Sequence, residues 1–134
     1  MAAGKALIVA AIDFGTTYSG WAFSFKHEFE SDPTKVSTKI WRESSLLSNK
    51  GPTCILINPD GQTLGKFGYE AETYYSELCT KGLQKDYYYF HRFKMMLWDK
   101  VMTTDAQVED ASGKLLPALL VFSLSIRLAS MVIT

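Results

Sequence analysis

Little in this sequence invites a redox or metal reading. Its 134 residues hold two cysteines, Cys54 and Cys79, and two histidines, His27 and His91. The cysteines have no C-x-x-C or cysteine–histidine spacing, so dithiol and zinc-finger chemistries find no support. A disulfide would need the fold to bring the two thiols together. Reduced, partly buried thiols in a cytoplasmic protein are the expectation. Each histidine reads as a surface or packing residue. Charge of one sign is also missing: Lys plus Arg and Asp plus Glu number 14 each, for a net charge of zero. No overall basic field attracts nucleic acid or an anionic membrane. Long hydrophobic runs are absent too. "ALIVAAI" is short, and Asp13 interrupts it before any clear cleavage site. "PALLVFSLSIRLASMVIT" would put Arg127 near the middle of a membrane span, so a buried helix beginning near Pro117 is the better reading and no transmembrane span is expected. There is no G-x-S-x-G nucleophile, no G-x-x-x-x-G-K-[ST] phosphate loop and no complete G-x-G-x-x-G fingerprint.

What is present is globular. Apolar types make up 47% and charged types 21% of the chain, enough for one domain of mixed structure. Residues 6 to 12 form an apolar run of strand length, "DFGTT" punctuates it, and "YSGWAFSF" resumes with Trp21, Phe23 and Phe25 alternating with Ala22 and Ser24. This predicts a β-hairpin with a tight turn at glycine. "KHEFESDPTKV" reads as a loop, "STKIWRE" as a short strand, and "SSLLSNKGP" as turn-rich. "TCILI" and "QTLGKFG" read as paired strands joined by the "NPDG" turn, with Gly65 marking a bulge or close packing. "YEAETYYSEL" switches to helical period, with Tyr74 and Leu78 on one stripe, Ala71 and Tyr75 on the next, and Gly82 as C-cap. "LQKDYYYFHRFKMMLWD" reads as a second helix, with Tyr89, Phe93 and Met96 on one face and Phe90, Lys94 and Leu97 on another. A strand or loop pair turning at Ser112–Gly113 precedes the apolar C-terminal helix.

The first turn carries the chemistry. A tight turn can aim successive N–H groups at one oxygen cluster, and small hydroxyl residues add donors without filling the space. Gly15 allows close approach, and Thr16 and Thr17 supply amides and hydroxyls. Asp13 would repel a bare phosphate but suits a site where magnesium or its water shell lies between them. By composition alone, D-x-G-T-T is also an ordinary turn with local side-chain hydrogen bonds.

"AIDFGTTYSGWAFSF" resembles the first phosphate loop of the actin, sugar-kinase and heat-shock-seventy superfamily. "GPTCILINPDGQTLGKFGYEAETYYSEL" and "FHRFKMMLWD" are similar to the divergent heat-shock-seventy branch that contains its twelfth members. The likeness runs from about Ala6 to Ala118. It implies an α/β fold, part of an actin-like, ribonuclease-H-like ATPase lobe with a mixed sheet, an N-terminal β-hairpin and packed helices. It implies ATP and Mg2+ as cofactors in a cleft between two lobes. Gly15, Thr16, Thr17 and Tyr18 match the phosphate-binding loop, and Asp13 matches the acid that orients magnesium-bound water. Lys94 most nearly matches the lysine that contacts phosphate and positions the attacking water; a shift of one residue puts Phe93 there.

The resemblance further implies an incomplete nucleotide-binding domain over 1–134. Residues 6–26 would be the phosphate-loop hairpin, 52–98 part of an inserted subdomain, and 115–134 a divergent apolar C-terminal helix. The family's second phosphate loop and adenosine segment lie downstream, so this chain alone is expected not to be catalytically competent. Two other readings stay open: a non-enzymatic interaction or regulatory fragment with protein partners, and a fragment of a sugar- or acetate-kinase-like enzyme.

Overall fold

The computed structural model describes residues 7–43, 46–99 and 102–131. Ala6 at the start of the first apolar run, Ser44 and Ser45 of the turn-rich stretch, Lys100 and Val101, and the last three residues of the C-terminal segment lie outside the described residues. Strands β1 (Ile8–Phe14) and β2 (Tyr18–Phe25) form the expected antiparallel hairpin, with Ile8 opposite Phe25 and Phe14 opposite Ser19. On its other edge β2 pairs with two short strands, β3 (Ser37–Thr38) and β6 (Gly51–Pro52). Among the described residues β1 pairs with β2 alone, and its Val9 and Ile12 are exposed. The polar segment after β2 is partly helical, α1 (Lys26–Ser31), where a loop is expected. A Lys35–Glu28 ion pair of 2.8 Å closes over it, and Pro33 follows its end.

A second sheet sits at the centre. Strand β7 (Cys54–Ile57) lies between β8 (Leu64–Phe67) and β9 (Tyr88–His91), antiparallel to both. Its side chains alternate between two cores. Ile55 and Ile57 enter the larger cluster with Trp21, Trp41, Phe67, Phe90 and Phe93; Cys54 and Leu56 enter a smaller one with Ala71, Leu78 and Tyr89. The register shift between Leu56 and Ile57 falls opposite Gly65, the expected irregularity. Helix α2 (Tyr69–Lys81) covers the smaller cluster with the predicted stripe, and Gly82 closes it at φ 71°.

The second predicted helix is not one. Residues 84–86 form a 3-10 turn, Tyr88–His91 is strand β9, and a 3-10 turn at Phe93–Met95 leads into the one-turn helix α3 (Met96–Asp99). The run "YYYF" satisfies both periods. What decides is the free edge of β7, which takes aromatic residues of high strand propensity. Tyr88 and Phe90 then face the larger core and Tyr89 the smaller one.

The last hairpin, β10 (Gln107–Glu109) and β11 (Leu115–Pro117), turns near Ser112–Gly113 as expected. The buried Asp110 carboxylate holds it, accepting from the amides of Ser112 (2.9 Å), Lys114 (2.8 Å) and Tyr89 (3.3 Å). Helix α4 (Ala118–Met131) buries Ala118, Val121, Leu124 and Ser125, while Leu119 and Ile126 are exposed. No helix among the described residues is long and apolar enough to cross a membrane. The short antiparallel pair β4 (Trp41–Glu43) and β5 (Leu46–Ser48) completes the set. Among the described residues the architecture is mixed α/β, with packed helices and four small sheets. Every described strand pairing is antiparallel, so the expected mixed sheet is not formed here. The hairpins β1–β2, β7–β8 and β10–β11 are joined by turns too short for a parallel crossover.

Trp41 is the joint between the sheets. It meets Trp21 edge-on at 4.9 Å and Phe67 at 6.0 Å. A Cβ at Gly51 or at Gly68 (φ 63°) would come within 2.8 Å of its ring. Its indole nitrogen is buried without a partner among the described residues. Trp41→Ala is therefore expected to cost ~3–5 kcal/mol in urea unfolding. Trp41→Phe should cost clearly less, because it keeps part of the ring and removes the unsatisfied N–H.

Candidate functional site

The β1–β2 register builds the site. Asp13 is the penultimate residue of β1 and lies opposite Gly20. Gly15 opens the turn, and its amide donates to the Tyr18 carbonyl at 3.1 Å. A Cβ at Gly15 would lie 2.3 Å from that carbonyl oxygen, so the turn is too tight for any side chain there. Gly15 is half-buried, while Thr16, Thr17 and Tyr18 are exposed. Among the described residues the Thr16 and Thr17 amides and hydroxyls donate to no protein acceptor. The tip thus presents free donors, the chemistry an anion needs.

Thr53, which the sequence reading did not single out, secures the turn from behind. Its amide donates to the Thr17 carbonyl at 2.8 Å and its hydroxyl to the Gly15 carbonyl at 2.8 Å. That hydroxyl also shares a 2.7 Å hydrogen bond with Ser19. The Gly15 and Thr17 carbonyls are thereby held by Thr53, and the Thr16 and Thr17 amides remain free of protein partners among the described residues.

Lys94 comes to the same place from far along the chain. Arg92 takes a left-handed conformation (φ 51°, ψ 19°) that starts the Phe93–Met95 turn. Phe93 is buried between Phe14 at 6.3 Å and Phe122 at 5.3 Å. The next residue, Lys94, sets its ammonium 3.9 Å from the centre of the Phe14 ring. Phe93 is thus part of the core, while Lys94 lies at the hairpin. Burial lowers the Lys94 pKa, and the nearby Asp13 carboxylate opposes that shift. Asp13 itself pairs with Lys50, also unanticipated from sequence. The Lys50 hydrogen bond and charge, with a lesser contribution from Lys94, hold the Asp13 carboxyl below its ordinary range. Three charges therefore converge beside the turn: Asp13, Lys50 and Lys94. Among the described residues no group of three or more histidine, cysteine, aspartate or glutamate side chains gathers as a metal cage. His27 stacks on Phe25 and His91 lies against Tyr89, both outside the site.

Beside Thr53, the two thiols differ sharply. Cys54 is buried and donates to the Gly68 carbonyl at 3.2 Å, and burial pushes its pKa up to about 12; Cys79 is exposed. Both are free, and neither is the partly buried thiol expected: one is buried and the other exposed. A maleimide at pH 8 should label Cys79 and spare Cys54 until the protein is unfolded. The Cys54 shift favours the folded thiol. Its stabilising effect is fully present below the unfolded pKa near 9 and is lost as pH rises towards 12. Thermal melts from pH 8 to 11 should show that decline, and Cys54→Ala should flatten it. Thr53→Val should cost ~1–3 kcal/mol and speed amide exchange at residues 15–18, because it strips the Gly15 carbonyl and Ser19 of their partner.

No protein-family profile matches the chain, and no solved structure matches it. Three curated proteins match over 124 residues, 90% of the chain. Heat shock 70 kDa protein 12B of Homo sapiens is 40% identical over 17% of its own length. Heat shock 70 kDa protein 12A is 35% identical in Mus musculus and 34% in Homo sapiens, over 18% of its length in each. The chain thus spans less than a fifth of the curated relatives it matches. Across nine-tenths of its residues it is a heat shock 70 kDa protein 12-like chain.

Proposed function

We propose that this chain supplies the first phosphate-binding elements of an ATP-binding, heat-shock-70-like protein that works with Mg2+. The observation that carries the reading is the meeting of Lys94 with the Asp13–Tyr18 hairpin, across a long stretch of sequence and through a packed core. The likeness to heat shock 70 kDa protein 12B supports the same reading.

In this scheme the amides of Thr16 and Thr17 donate to phosphate oxygens, and the Gly15–Tyr18 hydrogen bond keeps the turn narrow enough for close approach. The Asp13 carboxylate is the hard oxygen ligand suited to a hydrated divalent ion. Mg2+, when bound, would neutralise charge on the transferring phosphoryl group. Lys94 contacts the terminal phosphate and orients the attacking water. Its perch on the Phe14 ring holds the ammonium in place before ligand arrives. In the parent protein these residues would form one part of an interlobe cleft, with residues 6–26 as its phosphate hairpin and the remaining contacts drawn from elsewhere.

A second reading, a protein-interaction module, draws on a different observation. Strand β1 is unpaired on one edge among the described residues, and Ile8, Val9, Phe23, Phe29 and Val36 line an apolar groove beside it. A nucleotide-free complex with a protein partner at that groove, surviving Asp13→Asn, would favour it.

Calorimetry on the longest natural product carrying these residues tests the leading reading. ATP with Mg2+ should bind and be hydrolysed. Lys94→Ala should lower the hydrolysis rate ~10²–10³-fold while changing affinity much less, since its contact strengthens as charge develops. A folded product that takes up no ATP would refute the assignment.

A further inference from the structure

Arg92 is the one residue other than glycine with a positive φ among the described residues. That backbone is costly for a side chain with a Cβ and free for glycine. The bend itself is structural. It turns Phe93 into the core, and the Arg92 carbonyl accepts from the Met95 amide at 2.9 Å. Glycine would serve that bend better, so the arginine side chain calls for a separate account. The strand register supplies one. Strands β7 and β9 pair with Cys54 opposite His91 and Ile55 opposite Phe90. One residue further, the same register sets Arg92 across from Thr53, whose amide holds the Thr17 carbonyl at 2.8 Å. Arg92, Thr53, Thr17 and Tyr18 accordingly line one cavity of about 450 Å³. Lys94 lies instead on Phe14, at the other limb of the turn. With Phe93 buried between them, the chain sends one cation to each limb: Lys94 to Asp13–Phe14 and Arg92 to Thr17–Tyr18. The Arg92 guanidinium is exposed and has no protein partner among the described residues. Glu72 also lines the cavity, and its charge bears on Cys54 and Tyr89. An anion is therefore favoured towards Arg92 and Thr17 and opposed towards Glu72.

We propose that Arg92 is a second phosphate-binding residue of the turn, reaching the polyphosphate chain of the nucleotide from the Thr17–Tyr18 side. Lys94 serves the terminal phosphate from the Asp13 side. A guanidinium presents a rigid planar fork, which can hold two oxygens of one phosphate or bridge neighbouring phosphates. Arg92 therefore contributes to the affinity for a nucleoside di- or triphosphate, in the ground state, and leaves the orientation of the attacking water to Lys94. This rests on the phosphate reading above.

Glycine at position 92 separates the two roles, because it relieves the backbone and removes the fork. In the longest natural product carrying these residues, Arg92→Gly should melt at the same temperature as the wild type or higher. Calorimetry with Mg2+ should show its dissociation constants for both ADP and ATP raised by about tenfold or more. Arg92→Lys, which keeps the charge and loses the fork, should recover part of that loss. The hydrolysis rate at saturating ATP should fall far less in Arg92→Gly than in Lys94→Ala. Unchanged affinities in Arg92→Gly overturn the role of Arg92 alone. A loss of affinity that comes with a lowered melting temperature overturns it too, since it marks the side chain as structural. A folded wild type that binds neither nucleotide refutes the phosphate reading, and this proposal with it.

Discussion

Residues 51–57 are buried without a break, and the rest of the molecule is arranged around that fact. A seven-residue stretch with no solvent-facing side must satisfy every backbone group and fill space on both faces. Gly51 lies under Trp41, Thr53 grips the hairpin turn, Cys54 and Leu56 face the tyrosines, and Ile55 and Ile57 face the tryptophans and phenylalanines. One buried segment, from β6 through Thr53 into β7, therefore couples the hairpin turn to both cores. A shift of one residue in its register would exchange the two faces and withdraw the Thr53 hydroxyl from Gly15 at once.

Much of this was legible locally. The β1–β2 hairpin, the "NPDG" turn, helix Tyr69–Lys81 with its glycine cap and the turn at Ser112–Gly113 all rest on neighbours in sequence, and all are found. The segment Tyr88–His91 was not legible, because three tyrosines and a phenylalanine in a row fit any amphipathic period. Its conformation follows from an open edge on β7, which no local pattern records. The short helix after β2 was missed for the opposite reason. Its sequence is polar apart from Phe29, and its support is the salt link from Lys35 to Glu28 rather than an apolar stripe.

The candidate site divides in the same way. Asp13, Gly15, Thr16, Thr17 and Tyr18 could be singled out because a tight turn advertises itself in composition. Thr53 and Lys50 could not, since nothing in "NKGPT" distinguishes a crossing strand from a surface loop. Lys94 stood on resemblance alone, with Phe93 as the alternative. Packing separates those two residues: one goes between Phe14 and Phe122, and the other stays at the rim.

Both cations at the turn follow one construction. Each is the immediate neighbour of a residue locked in the core: Lys50 precedes Gly51 beneath Trp41, and Lys94 follows Phe93. A flexible ammonium loses rotamer freedom when it is held in one place, which ordinarily cancels most of the gain from an exposed ion pair. Anchoring the backbone one residue away reduces the share of that cost borne by the charge contact itself. The hairpin supplies a carboxylate and free amides, and the core delivers two positive charges to them. The electrostatics of the turn are thus set by hydrophobic packing several residues removed. A substitution that loosens Trp41 or Phe93 would disturb the charge balance at Asp13 without touching any charged group.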